Sequence, residues 1–124
     1  MKAKIFLSLF ILCCNYSCGE DNTCSKDSYV GNWVGTKECN SLDAVNTTVN
    51  ILNGDNDIEL KVYEVSFTSL VVEMKDCTFL GSEFVGFADA SLSGSFDGKT
   101  LRMNYKFNSI IFSEKCSYIL TKKP

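Results

Sequence analysis

Residues 88–107 alternate apolar and polar side chains with a period of two, reversing once at Asp97-Gly98. Ala88, Ala90, Leu92, Gly94 and Phe96 fall on one face, and Asp89, Ser91, Ser93 and Ser95 on the other. Beyond the turn, Leu101, Met103, Tyr105 and Phe107 alternate with Arg102, Asn104 and Lys106. Successive strand side chains point to opposite faces, so this pattern demands antiparallel strands with one buried face. Asp-Gly at the reversal supplies the backbone freedom of a tight hairpin.

The same period recurs along the chain. In residues 47–52, Val49 and Ile51 share a face, and Asn53-Gly54-Asp55-Asn56 then forms a turn. Ile58, Leu60 and Val62 continue opposite Asp57, Glu59 and Lys61. Further strands are expected at residues 29–36, at 67–74, around 77–80, within 84–96, at 110–112 after an Asn108-Ser109 turn, and at 116–121. No window carries an apolar stripe of period 3.6 at helical length, and the only Pro is Pro124. Seven or eight short strands with turns about every 8–12 residues predict an all-β fold, a single antiparallel barrel or sandwich. Residues 19–27 are polar and aperiodic, which suits a tether, and the domain proper is expected over 28–124.

The N-terminus follows other rules. Lys2 and Lys4 precede an apolar run over residues 5–14, interrupted only by Ser8. Ten helical residues reach about 15 Å, half of a bilayer core of roughly 30 Å. The run is too short to span a membrane and fits the core of a signal peptide over residues 1–17. Ser17 before Cys18 fits the small-residue–Cys junction that lipoprotein signal peptidase requires, making Cys18 the expected lipid-anchored residue. Cys14, preceded by Ile11 at the third position back, competes as a lipidation site; cleavage after Gly19 releases a secreted soluble protein instead. A modified Cys carries more than one acyl chain, and at roughly 0.8 kcal/mol per buried methylene this gives lasting attachment where one chain does not.

Seven Cys occur, at positions 13, 14, 18, 24, 39, 77 and 116. The first three leave or are lipidated, so four remain in an oxidising compartment, where two disulfides with three connectivities are the natural expectation. Cys39 with Cys116 is the favoured pair, because each sits on a strand near one end of the domain and terminal strands meet when a sheet closes. Cys24 with Cys77 then ties the N-terminal arm to the body. No two of the four have the close spacing of a zinc site, and the chain has no His to assist.

Composition narrows function. Without His the usual neutral-pH general base is missing, and no phosphate-cradling Gly-rich loop appears. Removing Lys2 and Lys4 from the 12 Lys and Arg leaves 10 against 15 Asp and Glu, a balance that argues against nucleic acid. Asp55, Asp57 and Glu59 are the densest carboxylates, but the turn lacks the closing bidentate Glu of a calcium loop, and a solvated hairpin is expected. No catalytic set, metal or cofactor is expected. The expectation is a binding module with a small apolar ligand or a protein partner, or an envelope-anchored inhibitor that blocks a hydrolase.

Four motifs carry a family resemblance. Val30-Gly31-Asn32-Trp33-Val34-Gly35 is similar to the G-x-W opening of lipocalin-like domains. Cys18 followed by Gly19-Glu20-Asp21 resembles lipoproteins of the Bacteroidetes, in which an acidic stretch accompanies export to the cell surface. Gly94-Ser95-Phe96 before Asp97-Gly98, and the strand Cys116-Ser117-Tyr118-Ile119-Leu120-Thr121-Lys122, are similar to the small lipocalin-like lipoproteins of that group. The resemblance implies an antiparallel barrel or half-barrel, a Cys39–Cys116 bond, an outer-membrane location and no particular activity. Gly31, Trp33 and Gly35 are its structural motif. Lipocalins often cover this Trp with a late-strand Arg. Arg102 alternates out of phase with Leu101 and Met103 and is expected to face solvent, with Trp33 in the core.

Overall fold

A computed structural model describes residues 24–40, 42–64 and 68–124; the signal segment and Cys18 lie outside the described residues. The alternation resolves into eight strands: β1 (Gly31–Cys39), β2 (Val45–Asn53), β3 (Glu59–Glu64), β4 (Thr68–Lys75), β5 (Thr78–Val85), β6 (Ala88–Phe96), β7 (Thr100–Asn108) and β8 (Ser113–Lys122). Each pairs antiparallel with the next, and β8 returns to β1 to close the barrel. The closing register runs from Trp33 opposite Lys122 to Cys39 opposite Cys116. Closure removes the exposed edges that an open sheet presents.

Every second residue points inward. Val49 and Ile51, Leu60 and Val62, Leu70 and Val72, Leu101 and Met103, and Tyr118 and Leu120 are all buried in one continuous cluster. Burying each aliphatic side chain contributes about 1.5–3 kcal/mol. An eight-stranded barrel has an interior just wide enough to be filled by such side chains or to hold one small ligand. Both disulfides form as expected, Cys39–Cys116 across the β1–β8 seam and Cys24–Cys77 from the N-terminal arm to the β4–β5 turn. No helix of the described residues is long and apolar enough to cross a membrane.

Three local expectations are corrected. Tyr29 belongs to a single helical turn, α1 (Lys26–Tyr29), and not to the first strand. Ser25 N–H donates to Ser28 Oγ, and Ser28 N–H to the Ser25 carbonyl, so local polar groups win over the β-propensity of Tyr29. The alternation over 84–96 is broken at Gly86-Phe87, where β5 turns into β6. Residues 110–112 form no strand: Ser109 N–H and Oγ donate to the Phe112 carbonyl, and Phe112 N–H returns a bond to Ser109 Oγ. That turn holds a run of β-branched and aromatic residues out in solvent.

The two ends of the barrel differ. One end is plugged by α1. Tyr29 is fully buried, edge-on to Phe79 at 5.5 Å and 6.0 Å from Phe96. Trp33 stands edge-on to Phe96 at 5.5 Å and donates Nε1–H to the Tyr29 carbonyl at 2.8 Å. The Gly-x-Trp-x-Gly spacing has a steric cause. Gly31 has φ +146°, which L side chains rarely adopt, and a Cβ at Gly35 would lie 2.0 Å from the Ile119 carbonyl oxygen.

Candidate functional site: the barrel mouth

At the opposite end, the last residues of β1, β3, β5 and β7 and the first residues of β2, β4, β6 and β8 surround the mouth. Three strands place polar groups just inside it. Glu64 continues the inward phase of Leu60 and Val62, Lys37 that of Trp33 and Gly35, and Tyr118 that of Cys116 and Leu120. The Glu64 carboxylate is fully buried and accepts bonds from Lys37 Nζ at 2.9 Å, Thr47 Oγ1 at 2.7 Å and Tyr118 OH at 3.0 Å. The Lys37 side chain keeps a sliver of solvent contact. A buried carboxylate is tolerable only when a cation and further donors replace its hydration, and all three are present. Every buried side-chain nitrogen and oxygen among the described residues has a hydrogen-bond partner.

Tyr105 lies beside this network, and its phenol is pushed up by burial, with the charges of Glu114 and Glu64 adding to the effect. Its neutral form is thereby favoured. Cys39, Cys116 and Glu114 are close enough to suggest metal ligation, but both sulfurs are committed to the disulfide and present no thiolate.

Above this polar floor the mouth turns apolar. Leu42 on the β1–β2 loop, Phe84 and Phe87 at the β5–β6 hairpin, and Ile110, Ile111 and Phe112 on the β7–β8 loop all stand exposed. Ile110 and Ile111 are 86% and 83% accessible and Phe84 is 70%. Because β5 to β8 and then β1 are consecutive neighbours around the wall, these tips form an arc along the rim. Each of these six side chains is more than half exposed, and apolar side chains gathered at one end of a domain mark an interaction surface. Phe112 is braced from below, its ring 6.1 Å from Phe107.

The other residues singled out in the sequence lie elsewhere. Asp55, Asp57 and Glu59 sit at the plugged end, where Glu59 Oε1 accepts from Asp55 N–H and Lys61 reaches Asp55 at 3.6 Å. Arg102 faces solvent and pairs with Asp97 at 3.5 Å. Trp33 is covered by Lys122, with Nζ 5.7 Å from the ring centroid, and the same ammonium donates to the carbonyls of Asp27 and Ser28. Lys122 thus clamps β8 to α1. A depression of about 370 Å³ on the outer wall is lined largely by Ser91, Ser93, Asn104, Lys106, Lys115 and Ser117, a solvated face without convergent chemistry.

Fold and site define a disulfide-stapled, closed eight-stranded meander barrel, plugged at one end and rimmed with apolar loops at the other. No protein-family model and no curated protein matches the chain.

Proposed function

We propose that this chain is an exported, lipid-anchored binding module that engages its partner through the mouth rim and carries out no chemistry of its own. The arc of exposed Leu, Ile and Phe side chains carries the reading, because exposing them to water is costly unless a partner covers them. The interior supports the rim over an interior cup, because Trp33, Met103, Tyr105 and Tyr118 are buried together in one packed cluster. A protein-interaction module of the cell envelope is therefore preferred to a carrier of a small apolar ligand. Both rest on the same barrel.

The anchor agrees with this polarity. Cys24 is bonded to Cys77 at the plugged end, and six residues back to Cys18 reach at most about 20 Å. A lipid on Cys18 therefore holds the plugged end toward the membrane and leaves the rim as the far end. In this reading Cys18 and the signal segment supply location, and the rim supplies recognition.

A photo-crosslinking side chain at Ile111 or Phe87 tests the binding end in the expressing cell. Adducts are expected at these two sites and not at Arg102, on the opposite half. Adducts at Arg102 alone sink the reading. Intact mass of the membrane-extracted chain tests the anchor: diacylated or triacylated Cys18 with two disulfides is expected, and an unmodified chain beginning at Glu20 overturns it.

A further inference from the structure

The rim also states what kind of partner it takes. Residues 24–124 contain 13 Asp and Glu and 10 Lys and Arg. Seven of each lie in the plugged half, where they cancel. The mouth half holds the remaining six acids, Glu38, Asp43, Glu64, Glu83, Asp89 and Glu114, against Lys37, Lys106 and Lys115. Lys37 is already committed to Glu64. The net negative charge of the domain is thus concentrated around its apolar arc, with Glu83 and Asp89 flanking Phe84 and Phe87, and Asp43 beside Leu42.

Resting on the mouth as the binding end, we infer that its occupant is a polypeptide segment presenting apolar side chains flanked by Lys or Arg. Complementary potentials steer encounter and suppress wrong partners, while the apolar contacts set how long the complex lasts. The same field disfavours two rival occupants. Anionic phospholipid headgroups meet Asp43 beside Leu42 and Glu83 and Asp89 beside Phe84 and Phe87, while Lys106 and Lys115 below the Ile110–Phe112 loop leave the mouth half net negative. A second copy of the chain docked mouth to mouth sets two like-charged rims against each other.

The test uses the chain as cells process it, in zwitterionic nanodiscs. Three synthetic probes of equal length are titrated: a Leu/Lys amphipathic peptide, its Leu/Glu counterpart and a Ser/Lys control. The Leu/Lys peptide is expected to bind at least about tenfold tighter than either other, weakening as salt shortens the Debye length from about 30 Å to about 3 Å. I110D/I111D, on a fully exposed loop, is expected to abolish that binding with an unchanged circular dichroism spectrum. E83K/D89K is expected to reverse the preference toward the Leu/Glu peptide. If the two Leu peptides bind equally and both need Ile110 and Ile111, the basic partner is overturned while the mouth remains the binding end. Preferential capture of phosphatidylglycerol vesicles, or a dimer broken by I111D, overturns it equally. Should I110D/I111D bind the Leu/Lys peptide like the parent, the mouth itself falls.

Discussion

Glu64 is the side chain on which the mouth depends. It is the single buried acid among the described core residues, and Lys37, Thr47 and Tyr118 all donate to it. Removing one member of a buried ion pair leaves an uncompensated charge, at about 3–5 kcal/mol, whereas replacing both with apolar groups is often neutral or stabilising. We therefore expect Glu64→Ala to lower stability by about that amount in urea titrations, and Glu64→Leu with Lys37→Met to recover most of it. A pair of single variants whose losses simply add would contradict the coupling. Glu64 was legible in principle. It stands two residues beyond Val62 in an unbroken inward phase, and a charge in that phase is the signal; reading the strand only by its apolar members hides it. Lys37 is masked in the same way by the stronger Gly-x-Trp-x-Gly motif before it.

Tyr29 shows the same residue-scale logic at the plug. Burial pushes its phenol up to about 12 from an ordinary 10. The neutral form is the one the folded state holds, so its contribution is complete below pH 10, where unfolded tyrosine is also neutral. It is lost as pH rises from 10 toward 12, because the unfolded chain releases a proton that the folded chain retains. Stability measured across that window should fall less steeply in Tyr29→Phe than in the parent. An identical slope in both would place the alkaline loss on other tyrosines such as Tyr105, whose phenol is also raised by burial. At the acid end Asp97 acts with the opposite sign. Backbone donors from Thr100 and Lys99 hold its carboxyl below the usual range, so the hairpin cap is present above that range and lost as pH falls through it.

At the scale of elements, β-periodicity and turn chemistry carry different amounts of information. β6 and β7 are unmistakable because both faces alternate cleanly and Asp97-Gly98 marks the reversal. The segment Ile110-Ile111-Phe112 is the instructive failure. Its composition is that of a strand, yet Ser109 closes a turn over it and β8 begins only at Ser113. Strand propensity measures fit to a half-buried pleated surface, and here no neighbouring surface is offered. The mismatch between composition and setting is the observation on which the proposed binding end rests. Replacing Ile110 and Ile111 with Asp should therefore cost little stability, within about 0.5 kcal/mol by thermal melting, where a core strand would lose several. α1 is the converse case: a four-residue turn is too short to show any stripe, and only its consequence, a buried Tyr29, reveals it.

The whole molecule is a cycle of neighbours, each strand paired with the next in sequence and a single long-range seam joining β8 to β1. The two disulfides address different parts of it. Cys39–Cys116, separated by 77 residues, staples that seam, while Cys24–Cys77, separated by 53, holds the plug under the barrel. In the loop-entropy account each stabilises by about 4 kcal/mol through the unfolded chain, but only the first joins elements whose separation opens the barrel. Trp33 is the one Trp in the chain and packs directly on the plug, so its fluorescence reports that end, whereas far-ultraviolet dichroism reports the strands as a whole. Replacing Cys24 and Cys77 with Ala should therefore move the fluorescence transition to lower urea than the dichroism transition, because the plug lifts before the sheet opens. Replacing Cys39 and Cys116 should shift both together, since the seam and the core fail as a unit. Coincident transitions in the first variant would mean that α1 is held by Tyr29, Trp33 and Lys122 strongly enough to unfold with the barrel. The plug would then be an integral wall of the domain and not a tethered lid.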